Sequence, residues 1–542
     1  MKKKKKIWSV VALLLVCCQL MSGCGREQEI AITKNPISYA YEQELNVIDD
    51  NYRNYYEVFV RSFYDSDGDG IGDLAGLTEK LDYIEDMGFN GIWLMPIMKS
   101  TTYHKYDVVD YYEIDPEYGT MEDFEKLVKE CHKRDIHLII DFVMNHSSSQ
   151  NQWFLDACSY LEGLKEGENP DESVCPEVGY YHFDTEQVNS TYYKAGNSDF
   201  YYEGSFWSEM PDLNFSSDKL RAEFEQIADF WVDKGVDGFR MDAALHFEEY
   251  EPEFNKEVLN WMFNHCREKN PEFYMVSEVW AGQDTIADYY GSGTPSMFNF
   301  TCSQAEGILM KAGRSNARAS KLVDTMLSCQ ESFLEQNPDY IDAPFLTNHD
   351  NIRVSNGCME DGDVKMCAGV LLMMNGSPFV YYGEEIGMRS TGQKDEDKRL
   401  PMDWYGDDTT DKEGMTTAPK GATKGASNNY PSVEEQLTDG YSILNYYKRG
   451  LRLRNENPEI ARGTIAVVEA LKGDNVAAIT KTYEDSTIGI VYNLSREEQK
   501  VTITDSELAQ MGIRGYLTLK GEEITLTDGE LTMPAQSICI LK

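Results

Sequence analysis

Eight short apolar runs, each separated from the next by a polar or helix-patterned stretch, recur along this 542-residue chain. They are Tyr55 to Phe63, Gly91 to Pro96, Ile136 to Val143, Gly238 to Asp242, Phe273 to Val279, Ser296 to Phe300, Pro344 to Thr347 and Pro378 to Tyr382. Between them, Leu77 to Met87, Met121 to Lys133 and Leu220 to Lys234 carry apolar residues at helical spacing. Strands apolar on both faces and joined by helices are parallel strands with crossover connections, and eight of them suffice to close a barrel. The expected fold class is therefore α/β, a (β/α)8 TIM barrel, with its chemistry at the C-terminal ends of the strands.

Acids stand at that end. In Gly238-Phe239-Arg240-Met241-Asp242, residues two apart on a strand share a face, so Arg240 lies beside Asp242. An adjacent guanidinium favours the ionised carboxylate, which makes Asp242 a candidate nucleophile, charged at all working pH values. Phe273 to Glu278 and Phe345 to Asp350 repeat the design, each ending an apolar run in an acid. One such acid is as well explained as a helix cap. Three at the same end of three strands argue for a single catalytic mouth.

Two segments interrupt the alternation. Residues 147–215, after the third run, are polar and aromatic and far longer than a connecting loop, so they are expected to form a small inserted domain beside the mouth. From residue 459 to 542 the helical pattern gives way to short alternating runs such as Val476 to Thr482 and Ser537 to Leu541, as in an antiparallel β-sandwich. The barrel then occupies 51–146 and 216–458.

The N-terminus reads as an address. Lys2 to Lys6 are followed by an apolar stretch, Ile7 to Leu20, too short to span a bilayer comfortably, and then by Met21-Ser22-Gly23-Cys24. Small residues before a cysteine resemble a bacterial lipoprotein cleavage box. That implies loss of residues 1–23, lipid on Cys24 and a polar tether over 24–50. An exported protein results, anchored to the outer face of the cytoplasmic membrane, or to an outer membrane, by lipid alone. A plain signal peptide cut nearby is the other reading. Of twelve cysteines, Cys17, Cys18 and Cys24 belong to this region, and the nine that remain show no CxxC pair and no zinc spacing. Most are expected as buried thiols, and Cys158 and Cys175, which bracket a polar loop, are read as unpaired ahead of the alternative of a bridge.

Fifty basic against 93 acidic residues leave a net charge of −43, which repels nucleic acid and anionic surfaces. Cations are favoured instead. In Asp65-Ser66-Asp67-Gly68-Asp69-Gly70-Ile71-Gly72-Asp73, carboxylates occupy positions one, three, five and nine, a glycine position six and the Ile71 carbonyl position seven, the logic of a calcium loop. Position twelve is Gly76 rather than glutamate, so the loop belongs to another fold than the EF-hand. The cofactor expected here is Ca2+. Aromatic residues make up 12% of the chain, including 34 Tyr, and supply flat surfaces that can stack on sugar rings.

Taken in order, these motifs resemble the α-amylase family of glycoside hydrolases over nearly the whole mature length. Asp141 to His146, Gly238 to Asp242, Val276 to Val279 and Thr347 to Asp350 match the family's four central motifs, and Gly376 to Glu385 its last barrel strand. Met210-Pro211-Asp212-Leu213-Asn214 resembles a fifth motif in the form found between oligo-1,6-glucosidases and neopullulanases. The resemblance implies a retaining mechanism with Asp242 as nucleophile, Glu278 as acid and base, and Asp350 as the carboxylate that grips sugar hydroxyls. It implies substrate contacts from His104, Tyr106, His146, Arg240 and His349, and a second calcium site at Asn145, Asp212 and the carbonyl of His246, where a metal-free clasp is the alternative. Ala243, directly after the nucleophile, is the small residue that accompanies α-1,4 cleavage in relatives, whereas valine accompanies α-1,6. Lys105 stands where glycine is common, and Leu245 replaces a frequent lysine, which weakens a contact on the leaving-group side. The expected activity is hydrolysis of internal α-1,4 bonds of starch or maltooligosaccharides by a monomer. An exo-acting α-glucosidase or oligo-1,6-glucosidase, and a 4-α-glucanotransferase, use the same residues. A sugar-binding relative without chemistry would lack one of the three acids, and all are present.

Overall fold

The computed structural model describes residues 48–165, 167–358, 360–424 and 430–542. The leader, Cys24 and the tether up to residue 47 lie outside them. Strands β1 (Tyr55–Val58), β2 (Gly91–Leu94), β3 (His137–Phe142), β4 (Gly238–Met241), β5 (Tyr274–Ser277), β6 (Ser296–Met297) and β7 (Phe379–Tyr381) form one parallel sheet in chain order. β1 pairs with both β2 and β7, so the sheet curls back on itself. Between β6 and β7 the circuit is completed by two single bridges, Phe298 to Ala343 and Phe345 to Phe379. The expected seventh strand, Pro344 to Thr347, is thus present as bridges rather than a ladder. Pro344 has no N–H to donate, although its carbonyl still accepts from Phe379.

The first run is shorter as a strand than its apolar length suggests. β1 ends at Val58, and Val60–Ser62 turn as a 3-10 helix. With both faces buried, no alternation marks where such a strand stops. The expected helix from Leu77 is two helices, Leu74–Glu79 and Leu81–Met87, broken at Lys80. Met121–His132 forms as expected behind a Thr120/Asp123 capping box.

Within 147–215 lie the helix Gln152–Glu162 and a three-stranded antiparallel sheet of Phe183–Asp184, Tyr201–Glu203 and Tyr192–Lys194. The Leu213 to Asn145 backbone hydrogen bond and the His146–Asp212 bridge tie this insert to the segment that follows β3. The C-terminal part holds a five-stranded antiparallel sheet and a three-stranded one. Ala478 and Val491 of the first meet Leu531 and Met533 of the second in one core, so the pair is a sandwich. All nine cysteines among the described residues are free, Cys158 and Cys175 included. The Cys175 thiol turns to the Glu177 carboxylate (3.2 Å), not to Cys158. No described helix is long and apolar enough to cross a membrane.

Candidate active site

Alternation along β4 has the consequence the sequence predicts. Arg240 Nη1 lies 2.6 Å from Asp242 Oδ1. The same guanidinium also reaches Asp141 at the end of β3 (2.9 Å) and, through Nη2, Glu278 after β5 (3.0 Å). Three neighbouring strands therefore deliver three carboxyls to one buried arginine, whose other face lies over the Trp93 ring at 5.1 Å. Arg240 is thus a shared counter-ion, which changes the electrostatics expected for Asp242. Burial raises the Asp242 carboxyl above its ordinary range, and Arg240 offsets this in part. Burial likewise raises Glu278, and lifts Asp141 to about 7.

Ala243, at φ 49°, turns its N–H onto Glu278 Oε2 at 3.0 Å, the oxygen that also faces Arg240. A proton on Glu278 consequently belongs on Oε1. Asp242, whose Oδ1 holds Arg240, keeps Oδ2 for attack.

The third acid has opposite surroundings. Burial alone would raise Asp350, but His349 Nε2 (3.0 Å) and Arg399 Nη2 (2.9 Å) hold its carboxyl well below the usual range. His349 is buried too, which disfavours its charge, yet Asp350 and Glu57 (2.6 Å from Nδ1) raise it to about 9. It is an imidazolium at neutral pH. Asp141, Asp242, Glu278, Asp350 and Glu57 thus face the cations Arg240, Arg399 and His349. Full ionisation of the carboxyls would leave two uncompensated negative charges in the cluster, which is relieved by a proton shared among the carboxyls that burial raises, Asp141, Asp242 and Glu278.

Tyr106 stacks on His349 with centroids 5.6 Å apart, and its hydroxyl sits between His349 Nε2 (2.7 Å) and Asp141 Oδ2 (3.0 Å). Burial, then Arg399, lowers His104 to about 4, so it is neutral. Its Nδ1 accepts the Tyr106 N–H (3.2 Å), which leaves the proton on Nε2 as a donor. His146, lowered by burial to about 4, has a buried Nε2 without a partner. The predicted residues His104, Tyr106, Arg240 and His349 therefore connect to the acids directly or through one contact, and His146 lies against the Tyr106 backbone as well as Asn145 and the Phe206 ring of the insert.

Glu57, Asp141 and Arg399 were not singled out from sequence. A lone glutamate inside the apolar β1, and an aspartate inside β3, repeat the acid-in-strand signal. Arg399 lies in a polar loop and gives none.

In the acidic loop, Asp65, Asp67 and Asp73 each bring a carboxylate oxygen within 4.8 Å of the others. Asp69 is not in that group; its Oδ1 accepts the Ile71 N–H (2.7 Å). Asp73 also caps the helix Leu74–Glu79 through the Gly76 N–H. At the insert, Asn145 Nδ2 lies 3.5 Å from Asp212 Oδ1 while Asn145 Oδ1 is buried without a partner, and burial raises Asp212 to about 7. His246 pairs through Nδ1 with Glu249 (2.5 Å). A second acidic group, Asp49, Asp135 and His137, is already filled by the Arg53 guanidinium, 2.6 Å from Asp49 and 2.8 Å from His137.

The alpha-amylase catalytic domain matches residues 57–463. The chain is 39% identical to alpha-amylase 3 of Dictyoglomus thermophilum over 455 residues, covering 82% of this chain and 86% of that one. It is 30% identical to the glucan 1,6-alpha-glucosidase of Streptococcus pneumoniae, covering 83% and 92%. Among solved structures it superposes on Eubacterium rectale Amy13B with a TM-score of 0.89 at 42% identity, covering 92% and 97%.

Proposed function

Because the chain belongs to the alpha-amylase family of glycoside hydrolases, we propose that it cleaves α-1,4-glucosidic bonds of starch or maltooligosaccharides with retention of configuration. The observation that carries this reading is the single Arg240 guanidinium bonded at once to Asp242 and Glu278, which sets two carboxyls of different tasks side by side. Glu278 gives its proton to the glycosidic oxygen as the bond from C1 breaks, and Asp242 Oδ2 closes on C1. The leaving sugar departs with that proton. Glu278, now a carboxylate, takes a proton from water, whose oxygen attacks C1 and frees Asp242. Asp350, ionised by its two cations, accepts hydrogen bonds from ring hydroxyls, and Tyr106 and His104 receive the same ring.

Ala243 supports the α-1,4 preference, since its left-handed φ of 49° disfavours a β-branched residue there. The leader motif supports lipid attachment at Cys24 and a site of action outside the cytoplasm. The test combines both points: the membrane fraction of cells making the full chain is incubated with soluble starch. Early loss of iodine staining with little free glucose is expected. Glucose released with staining intact favours the exo-acting glucosidase, longer products favour transfer, and activity confined to the soluble fraction rejects the anchor.

For calcium, the chemistry of the donor set is the argument. Asp65, Asp67 and Asp73 offer hard oxygens around a tight turn, and the orphaned Asn145 Oδ1 beside buried Asp212 fits a second cation at the insert. A bound ion would supply stability only, since no acid of the candidate active site belongs to either set. Exhaustive chelation is expected to lower the thermal midpoint by several degrees while turnover at moderate temperature changes little. Midpoints that do not move in wild type or in Asp67→Ala would reduce the loop to a solvated turn.

A further inference from the structure

Lys105 departs from the rest of its loop in two ways. It is one of few non-glycine residues in the left-handed region among the described residues, at φ 67°, and its long charged side chain is only 3% exposed. The ammonium runs under the loop to Asp115 (3.1 Å) and Glu117 (2.6 Å), and lies 5.3 Å from the Tyr118 ring centroid. Asp115 is a fixed anchor, because its Oδ2 also accepts the Ser100 N–H and its Oδ1 the Glu117 N–H, each at 3.0 Å. The neighbours of Lys105 do the reverse. His104 and Tyr106 face the acids with their ring centroids 6.0 Å apart, and Tyr103 accepts a hydrogen bond from Arg399.

We propose that Lys105 is a positioning residue: its buried ion pair with Asp115, joined by the half-exposed Glu117, holds the left-handed turn that presents His104 and Tyr106 to the sugar ring. Glycine enters this conformation without strain but leaves it as easily. A lysine is strained there and is kept in place only while Asp115 and Glu117 hold its ammonium. The trade is a fixed ring-binding surface in exchange for backbone strain. On the opposite flank, Ser100, Thr101 and Thr102 all donate hydroxyls to Asp107, so the loop is clamped at its base and Lys105 secures its tip.

The inference rests on the glucan reading above, and its test separates the two. Lys105→Gly, Lys105→Met and Lys105→Arg are compared with wild type for thermal midpoint, for kcat and KM on maltoheptaose, and for maltoheptaose binding by calorimetry in the Glu278→Gln background. Lys105→Gly is expected to keep its midpoint within a few degrees, because lost ion pairs are offset by relieved strain. Its KM and dissociation constant should rise roughly tenfold, the scale expected when binding groups lose fixed geometry. Lys105→Met should behave likewise in binding, and Lys105→Arg should recover most of the affinity. A merely structural lysine would lower the midpoint and the active fraction while KM and the dissociation constant stayed at wild-type values, and that result overturns the proposal. A wild-type chain that neither binds nor cleaves maltoheptaose overturns the glucan reading, and this inference with it.

Discussion

Replacing Asp242 by asparagine is expected to lower kcat on maltooligosaccharides by roughly four orders of magnitude while leaving the fold intact. The amide matches the carboxylate in shape but cannot form the ester with C1, so the covalent route closes. Stability should hold or improve. Arg240 keeps Asp141 and Glu278 as partners, and one of the negative charges crowded around it disappears. A slow-turnover activated glycoside should label the wild-type chain at the peptide containing Asp242, as read by mass spectrometry, and leave the variant unlabelled. Residual activity above about one per cent of wild type, free of contaminating enzyme, would remove Asp242 from the nucleophile role.

Glu278→Gln is the second large effect, and its signature depends on the leaving group. With maltooligosaccharides, glutamine has no proton to give, and turnover should fall by about three orders of magnitude, within the range of general acid catalysis and loss of the base. With an aryl glycoside whose phenolate leaves unaided, formation of the glycosyl-enzyme should be largely spared, giving a burst of phenolate followed by slow hydrolysis. The pH profile supplies an independent sign. Glu278 must be protonated to act, and burial raises its pKa above the ordinary 4.5. Wild-type kcat/KM should therefore fall as pH rises through that raised value, and this alkaline limb should vanish for the variant on the aryl substrate. Equal loss on both substrates, with the limb unchanged, would assign the acid role elsewhere.

Much of the fold was readable because its signals are local. Apolar runs of strand length alternating with helical spacing specify parallel strands and crossovers, and an acid at the end of such a run is visible without any knowledge of its neighbours. Asp242 beside Arg240 needed only the two-residue period of a strand. Boundaries were less legible. Tyr55 to Phe63 is apolar throughout, so nothing in it announces the turn at Val60–Ser62, and Pro344 weakens the seventh strand into two bridges.

The order of elements, the positions of the three acids and the two interruptions of the barrel follow from the chain itself, because each depends on residues close in sequence. The electrostatic roles of those acids do not. His349 is raised by its chain neighbour Asp350 and also by Glu57, nearly 300 residues earlier, which meets it at the closure of the barrel, and Asp350 is held ionised by that cation together with Arg399 from a later loop. Arg240 was expected to serve one carboxylate and serves three, since β3 and β5 flank β4 only in the folded sheet. Burial and shared counter-charge are properties of the assembled cluster, and they act on its proton affinities together with the neighbours in the chain.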